Sequence, residues 1–242
     1  MNKDKKIFRN ILNTFILVSF ILCVFLLFVC IKQKYNYHEK EMINVISMVE
    51  NKNQDEDNID KEYKLKQYQD YYDNNDIVGR LSIDGTKIDT LLVQAKNNNK
   101  YYLNHTLSKE KDYKGSNFID YRTPLNSKQI NIYGHNSRNG NMMFSELENY
   151  LNKDFYLNHK YINLWDGEET KIYEIASVYI DVTSHEHIIV DPINRKDHID
   201  NLSQSIYKTD IDLKEDDDLL ILQTCYYKPK NSFLIVVAKK VN

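Results

Sequence analysis

Residues 219–225 read LLILQTC, an apolar run ending in Gln, Thr and Cys, and residues 226–231 then turn polar as YYKPKN. Such a run, bounded by a Lys- and Pro-containing loop, reads as a strand buried on both faces, with Cys225 delivered to its C-terminal rim. Working outward, FLIVVAK (233–239) continues the pattern beyond the loop. Upstream lie IVGRLSI (77–83), a DGT turn, KIDTLLVQ (87–94), SNFIDY (116–121), QINIYG (129–134), YINLWD (161–166) and KIYEIASVYIDV (171–182). Short β-type runs separated by turn residues predict a mainly β barrel or sandwich, not a doubly wound α/β sheet.

Two helical patterns interrupt the strands. In MFSELENYLN, Phe144, Leu147 and Leu151 fall at i, i+3 and i+7; in DHIDNLSQSIYK, Ile199, Leu202 and Ile206 repeat that spacing. From about Tyr37 to Tyr72 the chain is charged and free of Gly and Pro. Met42, Val45, Ile46 and Val49 mark one helix face there, and EYKLKQYQDYY predicts a second helix after the polar break NKNQDEDN.

Residues 11–31, ILNTFILVSFILCVFLLFVCI, carry no charge. At 1.5 Å per residue, roughly 21 helical residues cross about 30 Å of hydrocarbon. Lys3, Lys5, Lys6 and Arg9 precede the run, so the positive-inside rule predicts a cytoplasmic segment 1–10, an anchor 11–31, a helical stalk 32–75 and an extracytoplasmic domain 76–242. A cleaved signal peptide is disfavoured because KQKYNY offers no small-residue cleavage site. A lipoprotein signal at Cys30 is disfavoured by the bulky Val29 before it.

Cys23 and Cys30 fall inside the anchor, which leaves Cys225 as the sole cysteine of the outer domain. A lone thiol outside the membrane is a buried structural residue, an intermolecular pairing site or a nucleophile. Its place at a strand end beside a polar loop favours the nucleophile. His135 ends another apolar strand, in NIYGHNS, and a Cys with a loop His supplies a nucleophile and its base. His185 and His187 form an H-x-H pair near Glu186 and Asp191, without the spacing of a zinc site, so no metal and no cofactor is expected. His105, His159 and His198 sit in polar contexts. The net charge of −3 offers no basis for nucleic-acid binding, and six scattered glycines cannot form a phosphate loop.

These segments together carry a resemblance. ILQTC resembles the TLxTC strand end of sortases, and NIYGHNSRNGNMMFSEL is similar to the histidine segment of class B sortases. NDIVGRLSIDGTKID, VQAKNNNKYYLNH and KGSNFIDYR resemble, in order, earlier strands and loops of that family, so the likeness runs over residues 76–238. It implies an eight-stranded β-barrel with inserted helices, preceded by N-terminal helices and one transmembrane helix. It also implies a cysteine transpeptidase with Cys225 as nucleophile and His135 as acid and base. Its partners would be secreted proteins bearing a C-terminal sorting motif and an amine of a cell-wall precursor or another subunit.

Family members place an arginine on the strand after the Cys loop; here Phe233 stands there, and no arginine follows Arg195. Thr224, Lys228, Lys230 and Ser232 are the candidates for binding the oxyanion or substrate in its stead. Losing one oxyanion donor without replacement costs about 2.7–4 kcal/mol of transition-state stabilisation. A feeble sortase-like peptide-binding module, a cysteine hydrolase and a purely structural stalked domain therefore stay open beside the transpeptidase.

Overall fold

The computed structural model describes residues 3–54, 61–182, 190 and 192–241. The chain divides into two compact units, Met1–Met48 and Val49–Asn242. Helix α1 (Lys3–Gln54) contains Asn13–Cys30, a window long and apolar enough to cross a membrane. Met42, Val45, Ile46 and Val49, expected on one helix face, are all buried. A second helix, α2 (Lys61–Tyr72), covers the predicted segment.

All eight predicted runs are strands: β1 (Ile77–Ser82), β2 (Asp89–Val93), β3 (Phe118–Ile119), β4 (Gln129–Tyr133), β5 (Tyr161–Trp165), β6 (Thr170–Asp181), β7 (Leu219–Tyr226) and β8 (Ser232–Lys240). They close into a barrel in the order β1-β2-β3-β4-β7-β8-β6-β5. Strands β4 and β7 run parallel, in register from Gln129 opposite Leu219 to Tyr133 opposite Gln223.

The unbroken apolar reading of β7 has a direct cause. Leu220 and Leu222 point into the barrel with Ile130, Ile132, Leu234 and Val236. Leu219 and Ile221 pack on the outer face with Ile235, Val237, Ile199 and Leu202. Burying each such aliphatic side chain is worth roughly 1.5–3 kcal/mol, so both faces demand apolar residues.

Two helical expectations are corrected. The segment Met143–Leu151 is a 3₁₀ helix, and its buried residues are Phe144, Leu147 and Tyr150 rather than Leu151. Three residues per turn stack positions i, i+3 and i+6, so the third core contact falls one residue earlier than α periodicity places it. It is followed by a short α3 (Lys153–Asn158), capped by the Asn152 side chain accepting from the Asp154 amide. Helix α4 (Arg195–Leu202) is capped by Asn194 and stops before Ile206, which is exposed.

Candidate active site

The site forms where β4 and β7 end side by side. The ladder continues past Tyr133, because the Gly134 amide donates to the Gln223 carbonyl at 3.3 Å. His135 follows Gly134 by one residue and Cys225 follows Gln223 by two, so the paired backbones lead on to both. Three side chains tie the two ends together. The Thr224 hydroxyl donates to the Gly134 carbonyl at 2.8 Å, the Asn136 amide donates to the Cys225 carbonyl at 2.8 Å, and the Tyr227 hydroxyl donates to the Asn136 carbonyl at 2.9 Å. Asn136 also donates to Glu148, which belongs to the 3₁₀ helix.

Cys225 is exposed. Enough protein still surrounds its sulfur that desolvation pushes the thiol above its ordinary value. An unperturbed thiol is roughly 3% thiolate at pH 7, so the resting sulfur is a neutral thiol that needs a base. His135 is half-buried, and its Nε2 lies 2.7 Å from the Leu103 carbonyl. A carbonyl only accepts, so Nε2 carries the proton and Nδ1 is the basic nitrogen of the neutral ring. No hydrogen bond joins this ring to the Cys225 sulfur among the described residues.

The oxyanion candidates fare unevenly. A hydroxyl has one proton to give. That of Thr224 goes to Gly134, and the buried Ser232 places its hydroxyl 2.7 Å from the Pro229 carbonyl and 3.2 Å from that of Tyr226. Both hydroxyls thus clasp backbone within or beside the β7–β8 hairpin. Lys228 and Lys230 are exposed on the loop and have no ion-pair partner among the described residues. Phe233 pairs with Cys225 across the hairpin and packs on the outer-face cluster of Ile199, Leu202, Ile221 and Ile235, so no cation stands there. His185, Glu186, His187 and Asp191 lie outside the described residues; among those described, no group of acids, His and Cys could hold a metal.

Beside the site a buried polar chain crosses the outer face. His198 Nε2 meets Gln129 Oε1 at 2.8 Å, Gln129 donates to Asn131 at 3.1 Å, and Tyr133 donates to Asp120 at 3.0 Å. Burial alone would raise the Asp120 carboxyl, but its bonds with Arg122, at 2.6 and 2.9 Å, outweigh burial and hold it down to about 2. A carboxyl lowered from 3.8 to about 2 contributes stability that is complete above pH 3.8 and lost as pH falls through about 2. The amount is about 2 kcal/mol. Thermal melts of wild type and Asp120→Asn should therefore differ most above pH 5 and converge towards pH 2; a gap that stays constant would refute the assignment. Burial, then Arg195, push His198 below its ordinary 6.5, so the fold holds it neutral. Its contribution is complete above pH 6.5 and declines below it as the unfolded chain binds the proton.

A closed eight-stranded barrel with a cysteine at one strand end and a histidine on the parallel neighbour defines a cysteine acyl-transferase or hydrolase class. The comparisons narrow it. The sortase domain model matches residues 81–241. The chain is 36% identical over 158 residues to sortase B of Listeria monocytogenes, covering 63% of each protein's length. It is similar to the crystal structure of Clostridium perfringens sortase B, with a TM-score of 0.66 and 34% identity over 73% of this chain and 99% of that one. It also resembles a Staphylococcus aureus sortase B–substrate complex, with a TM-score of 0.74 and 27% identity over 87% of this chain and 97% of that one. The chain belongs to the sortase family of cysteine transpeptidases, and the relatives it matches are sortases B.

Sequence reasoning missed Asn136, Glu148 and Tyr227, whose hydrogen bonds tie the two strand ends together.

Proposed function

We propose that this chain is a membrane-anchored class B-type sortase that cleaves a C-terminal sorting signal of secreted proteins and joins the new carboxyl end to an amine of a cell-wall precursor. The observation that supports the reading is the parallel register of β4 and β7, whose last pair, Tyr133 opposite Gln223, stands two residues before His135 and the exposed Cys225. Cys225 passes its proton to His135 and its sulfur attacks the scissile amide carbon, moving the C=O pair onto oxygen. Collapse expels the amine, which takes the proton from His135, and leaves an acyl-thioester. The incoming amine attacks the thioester, gives a proton to His135, and the departing thiolate takes that proton back.

Residues 11–31 hold the enzyme in the membrane with residues 1–10 in the cytoplasm, and residues 32–75 support the catalytic domain 76–242 outside. The apolar window Asn13–Cys30 and the cationic residues before it support this orientation. The test is mass spectrometry of the full-length chain in detergent, incubated with a panel of sorting-signal peptides. The expected result is a Cys225-linked acyl adduct that an amine acceptor resolves faster than water does. An adduct passed only to water would make the protein a hydrolase. Peptide binding without an adduct would make it a binding module.

A further inference from the structure

The thiol of Cys225 is desolvated, and a thiolate or tetrahedral oxyanion formed there needs a cation or a set of donors. Four arginines lie within residues 76–242, and three are already committed. Arg80 is paired with Asp89 and Glu50, and Arg122 with Asp120. Arg195 donates to the carbonyls of Glu215 and Asp217 and to Gln129. Arg138 alone meets no carboxylate among the described residues. Its guanidinium carbon lies 5.2 Å from the centre of the Tyr227 ring, a cation–π distance, and Tyr227 is two residues beyond Cys225.

The backbone around Arg138 is fixed on both sides. The Ser137 amide donates to the Ser145 hydroxyl at 3.1 Å, the Gly140 amide closes a turn onto the Ser137 carbonyl at 3.0 Å, and Asn136 is bonded to the Cys225 carbonyl. The same short loop therefore carries His135 and holds Arg138 against Tyr227, the residue after the end of β7. Burial pushes the Tyr227 phenol up, the neighbouring Cys225 adds to that, and Arg138 pulls it back, so the ring lies within electrostatic reach of both. Lys228 and Lys230, on the exposed loop, have neither the ring to dock on nor a planar fork of donors.

Resting on the sortase reading, we propose that Arg138 is the cationic donor of this site: docked on Tyr227, it binds the oxygen that becomes negative when Cys225 attacks. Cation and base thus come from one loop, and the hairpin strand bearing Phe233 need supply neither.

The experiment measures the rate of acyl-Cys225 formation by the full-length chain in detergent, using the panel peptide that acylates the wild type fastest. Arg138→Ala should lower kcat about 10²–10³-fold, with KM changed less than about threefold. Arg138→Lys should fall between, because an ammonium keeps the charge and loses the fork. Guanidinium ion added to the buffer should restore part of the Arg138→Ala rate, which a merely structural role would not allow. Melting temperature should not move, since the side chain is exposed. Acylation by Arg138→Ala within about threefold of wild type overturns the role of Arg138 and leaves the sortase reading standing. No adduct with the wild type for any peptide overturns the sortase reading itself.

Discussion

Replacing Cys225 with alanine should abolish acyl transfer, by at least about 10⁴-fold, while leaving the melting temperature within about 1 °C of wild type. The two halves of this expectation have separate causes. Cys225 is exposed at a strand end, and its backbone carbonyl, not its sulfur, takes part in the bond to Asn136. Removing the sulfur therefore empties no position of the core clusters and leaves that hydrogen bond in place. Cys225→Ser should be almost as inert, because a serine hydroxyl ionises far less readily than a thiol and the base beside it is the same. His135→Ala should retain the thiol and lose adduct formation with peptides, since a desolvated thiol needs a base to ionise. Adduct mass spectrometry and a thermal melt on the same samples decide the matter. Undiminished turnover in Cys225→Ala would remove Cys225 from the mechanism, and a large drop in melting temperature would return it to the class of structural cysteines.

The strands were legible because their causes are local. β7 is apolar at every position from Leu219 to Leu222 since the barrel interior lies on one face and α4 on the other. The 3₁₀ segment was misread in period because Leu147 satisfies both spacings, and only the burial of Tyr150 separates them. Ile206 matched a helical template by spacing alone, although α4 ends at Leu202 with Ser203 as its C-cap, four residues short of it. Cys225 and His135 could be picked out because each ends an apolar run. Asn136 and Tyr227 could not, since their bonds to the opposite strand end join residues 89 and 91 positions apart. Nor does sequence reveal that the hydroxyls of Thr224 and Ser232 are spent on carbonyls. A hydroxyl's partner depends on where a backbone oxygen falls in space, and a parallel pairing reached through the long connection from β4 to β7 leaves no local trace of it.

Gly134 is where stability and chemistry meet, so Gly134→Ala should damage both. A Cβ at this position would lie 2.6 Å from two ring carbons of Phe144 and closer still to the Asn117 side-chain oxygen. Carbon atoms settle at about 3.5–4.0 Å, so something must move. Phe144 is fully buried in the core cluster and has no room to retreat. The added methyl therefore strains the core by about 1–3 kcal/mol. For a chain of this size each kcal/mol lowers the melting temperature by about 2–4 °C. The strand end yields more easily than the core, and what it carries is the Gly134 carbonyl clasped by Thr224 and then His135 itself. A shift of about 1 Å in a reacting group can cost about 100-fold in rate, so turnover should fall by that order even in the fraction that stays folded. Trimming the ring in Gly134→Ala/Phe144→Leu should recover part of both losses, since the two substitutions share one contact and are expected to be non-additive. Circular-dichroism melts and the acylation rate, measured on the single and double variants, test this directly. A double variant no better than the sum of its parts would mean that the Phe144 ring is not what excludes a side chain beside His135.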